Sequence, residues 1–249
     1  MKPTGTAPLL ILFLLLCLIN LYAEWSYNSN LIFLSKPLLL TSLAIYFYRS
    51  SLASSSTFRN FLLLGFLFSI AGDSFLMFVE NEPKSPSFFL YGLGSFFITH
   101  LCYLYAFLKW PSNSKGWLQQ NPLWLVLFLL FLLGNCLFLW PDIPTVLRLP
   151  VVFYSTAIVT MAAACTNLAG KMPKSAFQLL LTGVLLFVLS DSLIALNKFK
   201  SQQISLPYPR LLIMITYLAG QLLIALGGLK ALLNASHEKE ESTVLAPDE

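Results

Sequence analysis

Long apolar runs, separated by short polar segments, dominate the sequence. A membrane-spanning helix needs roughly 20 mostly apolar residues to cross the hydrocarbon core. Eight runs meet this requirement, near Thr6–Ala23, Leu31–Tyr48, Phe58–Val79, Ser87–Trp110, Asn121–Trp140, Val146–Gly170, Ser175–Phe199 and Tyr208–Asn234. The segments between them are rich in Ser, Pro, Asn and charge, which favours turns. The pattern predicts an all-α integral membrane protein whose eight transmembrane helices form one domain over residues 1–235, followed by a disordered acidic tail over residues 236–249.

Composition supports a membrane protein and excludes other classes. Hydrophobic residues make up 57% of the chain and charged residues only 10%, whereas a soluble domain carries about 25% charged residues. The four cysteines lie inside apolar runs without CxxC spacing, so we expect them to be packing residues. The net charge of +4 is spread along the loops, so it gives no reason to expect a nucleic-acid partner.

The loop charges predict the orientation in the membrane. With eight spans, both termini share one side with alternate loops, and nine of the fifteen Lys and Arg residues fall on that side. The positive-inside rule then places both termini in the cytoplasm, at a bacterial inner membrane or an ER-type membrane. The first run has an alternative interpretation as a signal peptide beginning at Lys2, although Leu21-Tyr22-Ala23 is a poor cleavage site.

Two carboxyl groups lie where charge is costly. Of the eleven acidic residues, only Asp73 and Asp191 lie well inside predicted spans, and Glu24 is placed in a loop. An ionisable group in the hydrocarbon core costs several kcal/mol, so it normally faces the bundle interior and has a function. The alternative is that each Asp only holds neighbouring helices together by a hydrogen bond. Because the two occur at matching positions, we expect a functional site.

The third and seventh spans resemble copies of each other. In one, Leu62-Leu63-Leu64-Gly65 leads to Asp73-Ser74, with Asp eight residues after Gly. In the other, Leu180-Leu181-Thr182-Gly183 leads to Asp191-Ser192 at the same offset. Spans four apart run in the same direction, so the match indicates a possible 4+4 parallel internal duplication.

Other polar side chains share helix faces at helical spacing. They are His100 with Tyr103, Tyr154 with Met161, Asp191 with Lys198, and Tyr217 with Gln221. Each pair alone is typical of an interhelical hydrogen bond. Their depths agree, however, because Lys36, Asp73, Arg148, Asp191 and Lys198 all fall in the non-cytoplasmic half and His100 and Tyr217 near the middle. This agreement predicts one polar cavity that opens outward.

The residue types limit the chemistry. A zinc hydrolase needs three or four ligands, and this chain has two histidines. No HExxH, GxSxG or phosphate-binding Gly-rich loop occurs, so we expect no metal and no cofactor. Two carboxyl groups in a low-dielectric pocket can act as acid and base. They suit hydrolysis without a metal, and equally a proton-coupled transporter of a small solute or lipid, although the spans lack the paired Gly/Pro interruptions of broken transporter helices.

These residues, taken together, resemble the lysoplasmalogenase (YhhN) family of eight-span membrane proteins. The matching pieces are short, but their order and spacing extend over seven of the eight spans. They are Lys36-Pro37-Leu38, Gly72-Asp73 with Leu76, Phe96 or Phe97 with His100 and Tyr103, Tyr154 with Met161, Gly183, Phe187, Ser190-Asp191-Ser192, Lys198-Phe199, and Tyr217 with Gln221 and Gly227. Gly220 stands where the family pattern has Ala.

The resemblance implies an activity and roles for these residues. Family members hydrolyse the vinyl-ether bond of lysoplasmalogens, lysophospholipids with a 1-alkenyl chain, to a fatty aldehyde and a glycerophospho-amine. On this basis Asp73 and Asp191 are the expected acid and base, in either order. Further expected substrate-binding residues are His100, Tyr103, Tyr154, Ser190, Tyr217 and Gln221, with Lys36 and Lys198 for the phosphate. The expected partners are the lysophospholipid substrate and membrane lipids.

Overall fold

The computed structural model describes residues 5–52, 54, 56–81 and 86–244. In this part of the chain the elements are helices joined by short connections. The α-helices are α1 (Ala7–Trp25), α2 (Ser29–Ser50), α3 (Thr57–Asn81), α4 (Pro86–Leu108), α5 (Trp117–Gln120), α6 (Leu125–Leu139), α7 (Thr145–Thr166), α8 (Lys174–Phe199) and α9 (Pro209–Val244), and short 3-10 turns at Pro122–Trp124 and Trp140–Asp142 flank α6. Eight of the helical segments are long and apolar enough to cross a membrane, which confirms the predicted all-α membrane fold.

Two of the differences between the helix ends and the predicted spans change the assignment of residues. Helix α1 continues to Trp25, so Glu24 belongs to the helix and not to a loop. Helix α9 continues to Val244, beyond the predicted boundary between the bundle and the tail at residue 235. Residues 245–249 lie outside the described part of the chain, so the disordered tail stays a prediction.

The bundle is organised around two closely packed helix pairs, α3 with α4 and α8 with α9. Helix α1 packs on α2 and α9, and α4 packs on α7. Large buried rings such as Phe47, Phe66 and Phe187 fill the space between these helices. Helix α6 lies at the edge and buries only Leu139, so its many exposed apolar side chains face the bilayer. All four cysteines are free.

Glycines allow α8 and α9 to approach at backbone distance. A Cβ atom at Gly183 would lie 2.7 Å from the carbonyl oxygen of Gly220 and 2.8 Å from the backbone nitrogen of Ile224. Small residues give this close approach in membranes, where helix association depends on packing because lipid supplies no hydrophobic driving force between helices. The contact fixes the position of α8, which carries Asp191, relative to α9.

We expect Gly183→Ala to lower the free energy of unfolding by about 1–3 kcal/mol, because the added methyl group forces the two backbones apart. Gly134→Ala is the matched control, since a Cβ atom there meets nothing within 4 Å. The control is expected to be neutral or slightly stabilising, because alanine favours the helix. Denaturant titration in mixed micelles measures both values, and equal stability of the two variants would contradict the expected role of Gly183.

Candidate functional site

Three helices converge on the carboxylate of Asp191. Its Oδ2 atom accepts a hydrogen bond of 2.5 Å from the hydroxyl of Tyr154 on α7. The Nε2 atom of His100 on α4 lies 3.0 Å from the same oxygen. His100 is fully buried, and the partners fit the tautomer that carries its proton on Nε2. Asp191 is thus held in a fixed position by an imidazole and a phenol.

Asp73 has a separate partner on another helix. Its Oδ2 atom accepts a hydrogen bond of 2.7 Å from the hydroxyl of Tyr217 on α9. Asp73 is only 4% exposed. Each aspartate lies eight residues before the end of its helix, α3 at Asn81 and α8 at Phe199. Each aspartate therefore lies about 12 Å along the helix axis from the end of its own helix.

Aromatic rings separate the two carboxylate networks. The ring of Phe187 lies 4.9 Å from the His100 ring and 5.5 Å from the Tyr217 ring, centroid to centroid. The Phe96 ring lies 5.8 Å from that of Tyr217 and packs where a Cβ atom at Gly72 would stand. The glycine before Asp73 thus gives Phe96 room. The two aspartates are close enough for their charges to interact, but they do not share a hydrogen bond.

A buried polar network connects α3, α4 and α9 further toward the predicted cytoplasmic side. The Tyr103 hydroxyl donates to Oε1 of Gln221 at 2.8 Å, and Nε2 of Gln221 donates to Oγ of Ser69 at 3.0 Å. Ser69 also lies 3.2 Å from the hydroxyl of Thr99. Tyr103 and Gln221 therefore pair with each other, one helical turn away from Asp73.

Asp191 and Tyr154 line an apolar cavity that we call the central cavity. Its volume is about 70 Å³, and its walls are mostly apolar, with Leu76, Phe89 and Phe96 on one side. Asn135, Ser155 and Ser192 add neutral polar groups. The cavity lies between α3, α4, α6, α7 and α8. A carboxylate in the wall of a largely apolar cavity is the arrangement expected of a site that binds an apolar molecule and acts on one bond.

A second cavity adjoins the central cavity and carries charge. This charged cavity has a volume of about 240 Å³ and is lined by Glu24, Lys36, Lys198 and Arg210 among others. Leu76, Phe89 and Ile194 line both cavities and form the wall between them. The single cavity predicted from the sequence is therefore divided. Lys36 and Lys198 lie in one part, and Asp191 and Tyr154 in the other.

Glu24 is a member of this region that sequence reasoning missed. Its carboxylate is 2% exposed and binds two cations, Lys36 Nζ at 3.1 Å and Arg210 Nε at 2.8 Å. The prediction of a loop position for Glu24 was wrong because the first span extends one residue beyond it. The available signal was Trp25, since a tryptophan at the membrane interface marks the end of a span.

Several predicted residues lie away from the two cavities. The Ser190 hydroxyl donates to the backbone carbonyl of Ile213 at 3.1 Å and so joins α8 to α9. The Arg148 side chain donates to the carbonyl of Ile143 and lies over the ring of Trp140, away from Asp191. Within the described ranges, no group of three or more His, Cys, Asp or Glu residues is placed to hold a metal ion.

Together, the fold and the site define the class: a multi-pass helical membrane protein with buried carboxylates beside an internal apolar cavity. Within that class the family is known. The family model of the YhhN family matches residues 31–228, so the chain belongs to the YhhN family, as its motifs indicated. The match includes both aspartates and all their partners, while Glu24 precedes it.

The chain is similar to curated proteins named lysoplasmalogenase. It is 33% identical to lysoplasmalogenase TMEM86A of Bos taurus over 174 residues, which are 68% of this chain and 65% of the relative. It is 33% identical to lysoplasmalogenase TMEM86A of Homo sapiens over 184 residues, 72% of this chain and 69% of the relative. A lysoplasmalogenase of Mycobacterium tuberculosis is 28% identical over 173 residues, 68% of this chain and 60% of the relative. The chain thus spans about two thirds of each relative's length. No solved structure matches it significantly.

Proposed function

We propose that this protein hydrolyses the vinyl-ether bond of a lysoplasmalogen by acid–base catalysis that uses Asp191 and Asp73 and no metal. Membership of the YhhN family and the names of the relatives support the reaction. The observation that carries the proposal is the position of Asp191 in the wall of the central cavity, next to a cavity lined by Lys36, Lys198 and Arg210. An apolar space beside a cationic one fits a single-chain phospholipid.

The reaction requires a proton donor, a base and water. Protonation of the alkenyl carbon that becomes carbon 2 of the aldehyde breaks the carbon–carbon double bond and leaves an oxocarbenium ion. Water adds to carbon 1 of this ion and loses a proton, and the resulting hemiacetal collapses to the fatty aldehyde and the glycerol hydroxyl. A positioned acid or base contributes about 10²–10⁴-fold to such a reaction. An ionised carboxylate also stabilises the cationic intermediate electrostatically.

We assign the substrate-facing role to Asp191. It lines the central cavity, and Tyr154 and His100 hold one of its oxygens, so its position is fixed before the lipid binds. Asp73 supplies the second carboxyl group, held by Tyr217 beside the ring of Phe96. His100 and Tyr154 position Asp191 and the attacking water. Tyr103, Gln221 and Ser190 support the helices that carry these groups.

The charged cavity is the proposed position of the phosphate. Lys36, Lys198 and Arg210 bring three cations to its wall and Glu24 one carboxylate, a net formal charge of +2. The Lys198 ammonium lies 4.9 Å from the centre of the Phe89 ring, at the wall shared with the central cavity. This ammonium is therefore placed between the phosphate and the vinyl ether of the bound lipid.

Product analysis with the purified protein in detergent tests the proposal. A 1-alkenyl lysophosphatidylethanolamine is expected to give fatty aldehyde and glycerophosphoethanolamine, whereas the saturated 1-alkyl ether is expected to stay intact because it has no double bond to protonate. In D₂O the aldehyde is expected to carry one deuterium at carbon 2, which reports the protonation step directly. Aldehyde without deuterium would contradict this mechanism. Uptake of the lipid or another solute into proteoliposomes, driven by a proton gradient and without chemical product, would instead support the transporter.

A further inference from the structure

A third space, which is apolar, adjoins the central cavity on its side facing the bilayer. We call it the lateral groove. Its volume is about 310 Å³, and it lies between Leu127 and Phe128 of α6, Ala162 of α7 and Leu185 of α8. Phe131, Val159 and Val188 line both the lateral groove and the central cavity. The charged cavity, the central cavity and the lateral groove are therefore contiguous, in that order.

The order of the three spaces matches the order of chemical groups along a lysolipid. The charged cavity is lined by three cations, the central cavity presents Asp191, and the lateral groove has almost entirely apolar walls. A lysoplasmalogen likewise presents an anionic phosphate, then the vinyl ether, then a hydrocarbon chain. A small, polar solute would not occupy the lateral groove.

The length of the lateral groove fits a long alkyl chain. Asn135 of α6 lines the central cavity, and Trp124 lines the far end of the lateral groove, eleven residues earlier in the chain. At a rise of about 1.5 Å per residue this separation is about 16 Å. An extended alkyl chain advances about 1.25 Å per carbon, from its single-bond lengths and angles, so on the order of a dozen carbons fit between the site and the tryptophan.

The lateral groove is closed at its far end and open on one side. The rings of Trp117 and Trp124 lie 5.3 Å apart, centroid to centroid, and close the far end. The open side is formed by α6, whose only buried residue is Leu139. A chain can therefore reach the groove sideways from the bilayer, without passing through the charged cavity.

We propose that the alkenyl chain of the substrate lies in the lateral groove, with its vinyl ether at Asp191 and its phosphate in the charged cavity, and that the lipid enters and the aldehyde leaves between α6 and α8. This inference rests on the proposed function and deepens it. It gives the bound lipid one orientation, with its headgroup toward the end of the bundle that carries Glu24, Lys36 and Arg210.

The proposal predicts how chain length affects the wild-type protein. Moving a chain from the bilayer into an apolar groove gains little hydrophobic free energy, because lipid tails are as apolar as the groove. We therefore expect kcat/KM for a series of 1-alkenyl lysolipids in lipid nanodiscs to change little with chain length. A dependence of kcat/KM on chain length is expected only when a larger side chain fills the lateral groove.

Leu185→Trp is the variant that fills the groove, and Leu189→Trp is its control. Both leucines are exposed residues of α8, one helical turn apart, but Leu189 lines none of the three spaces. Leu185 lies six residues from Asp191, a separation of about 9 Å, or about seven carbons of chain. Leu185→Trp is expected to lower kcat/KM at least about tenfold for chains well beyond this length, as overpacking costs predict, and to leave shorter chains unchanged. Loss at every chain length, or at none, would overturn the proposal.

Binding without turnover separates this inference from the proposed reaction. A saturated 1-alkyl lysophosphatidylethanolamine with a diazirine at the chain end has no vinyl ether to hydrolyse. Its photolabel is expected in the segment 117–131. The labelling is expected to diminish in Leu185→Trp but not in Leu189→Trp. Labelling confined to other helices, or equal in both variants, would overturn the proposal that the chain lies in the lateral groove. Labelling of the groove by a protein that releases no aldehyde from the alkenyl lipid would support the groove and contradict the proposed reaction.

Discussion

Asp191→Asn is expected to lower aldehyde release by about 10²–10⁴-fold, the contribution of one positioned acid or base. Asparagine keeps the shape of the side chain and an oxygen that accepts hydrogen bonds, but it neither donates nor takes up the reacting proton. The hydrogen bonds from Tyr154 and His100 can therefore persist while the chemistry is lost. The loss is expected in kcat, measured as initial rates of aldehyde formation at saturating substrate.

Asp73→Asn distinguishes direct from supporting roles in the same assay. Asp73 lines none of the described cavities and lies beside Phe96 in a separate network, so its loss is expected to reduce kcat less than that of Asp191. An equal loss would show that the two carboxyl groups contribute equally to the acid–base catalysis. Full activity would remove Asp73 from catalysis, and full activity of Asp191→Asn would contradict the proposed mechanism.

Asp142→Asn is the control for loss of a carboxylate. Asp142 forms an ion pair with Lys200 and lines none of the described cavities. We expect its aldehyde release to stay close to that of the wild-type protein. A comparable loss in this variant would show that the assay reports damage to the bundle and not catalysis.

The sequence predicted the spans and the two aspartates for the same physical reason. The hydrocarbon core imposes a length on each helix and a high cost on each charge, and both constraints are visible in one helix at a time. Asp73 and Asp191 therefore stood out without any knowledge of their neighbours. Their equal distance from the ends of α3 and α8 also follows from the sequence, because it depends only on the length of each span.

The partners of the aspartates could not be predicted, because they depend on how helices are arranged around each other. Helical periodicity places Tyr217 and Gln221 on one face of α9, but it does not reveal that Tyr217 contacts Asp73 while Gln221 contacts Tyr103. Lys36 was expected to hold a phosphate, and its ion pair with Glu24 was not foreseen. The rotation of each helix is set by the packing of many side chains.

The arrangement of the two networks also bears on the possible internal duplication. Asp73 of α3 binds Tyr217 of α9, and Asp191 of α8 binds His100 of α4. Each aspartate thus pairs with the helix that follows the other aspartate. Two copies of a four-helix unit related by a pseudo-two-fold axis produce such a reciprocal exchange, so the duplication predicted from the Gly and Asp spacing gains a structural argument while it stays a prediction.

Glu24→Gln is expected to cost about 3 kcal/mol of unfolding free energy, the lower end of the range for breaking a buried ion pair. Both carboxylate oxygens bind cations, and the side chains of Lys36 and Arg210 are 10% and 23% exposed. Without the carboxylate, Lys36 keeps a charge in a poorly hydrated place, and glutamine presents a partly positive amide group to one of the cations. The partial exposure of Arg210 keeps the loss from being larger.

The stability of Glu24→Gln can be separated from a general effect of losing a charge. Asp142→Asn breaks the ion pair with Lys200, in which the Asp142 side chain is 25% exposed, and exposed pairs contribute only about 0–1 kcal/mol.

In the double variant Glu24→Gln with Lys36→Met, removal of the unpaired cation is expected to restore part of the stability, as a coupling measured by a double-mutant cycle. Denaturant titration in mixed micelles gives the values for the wild-type protein, Glu24→Gln, Lys36→Met, the double variant and Asp142→Asn. If Glu24→Gln and Asp142→Asn are equally stable, or if the two substitutions at Glu24 and Lys36 are simply additive, the carboxylate does not hold α1 to α2 and α9. Another interaction would then have to hold these helices together at the charged cavity.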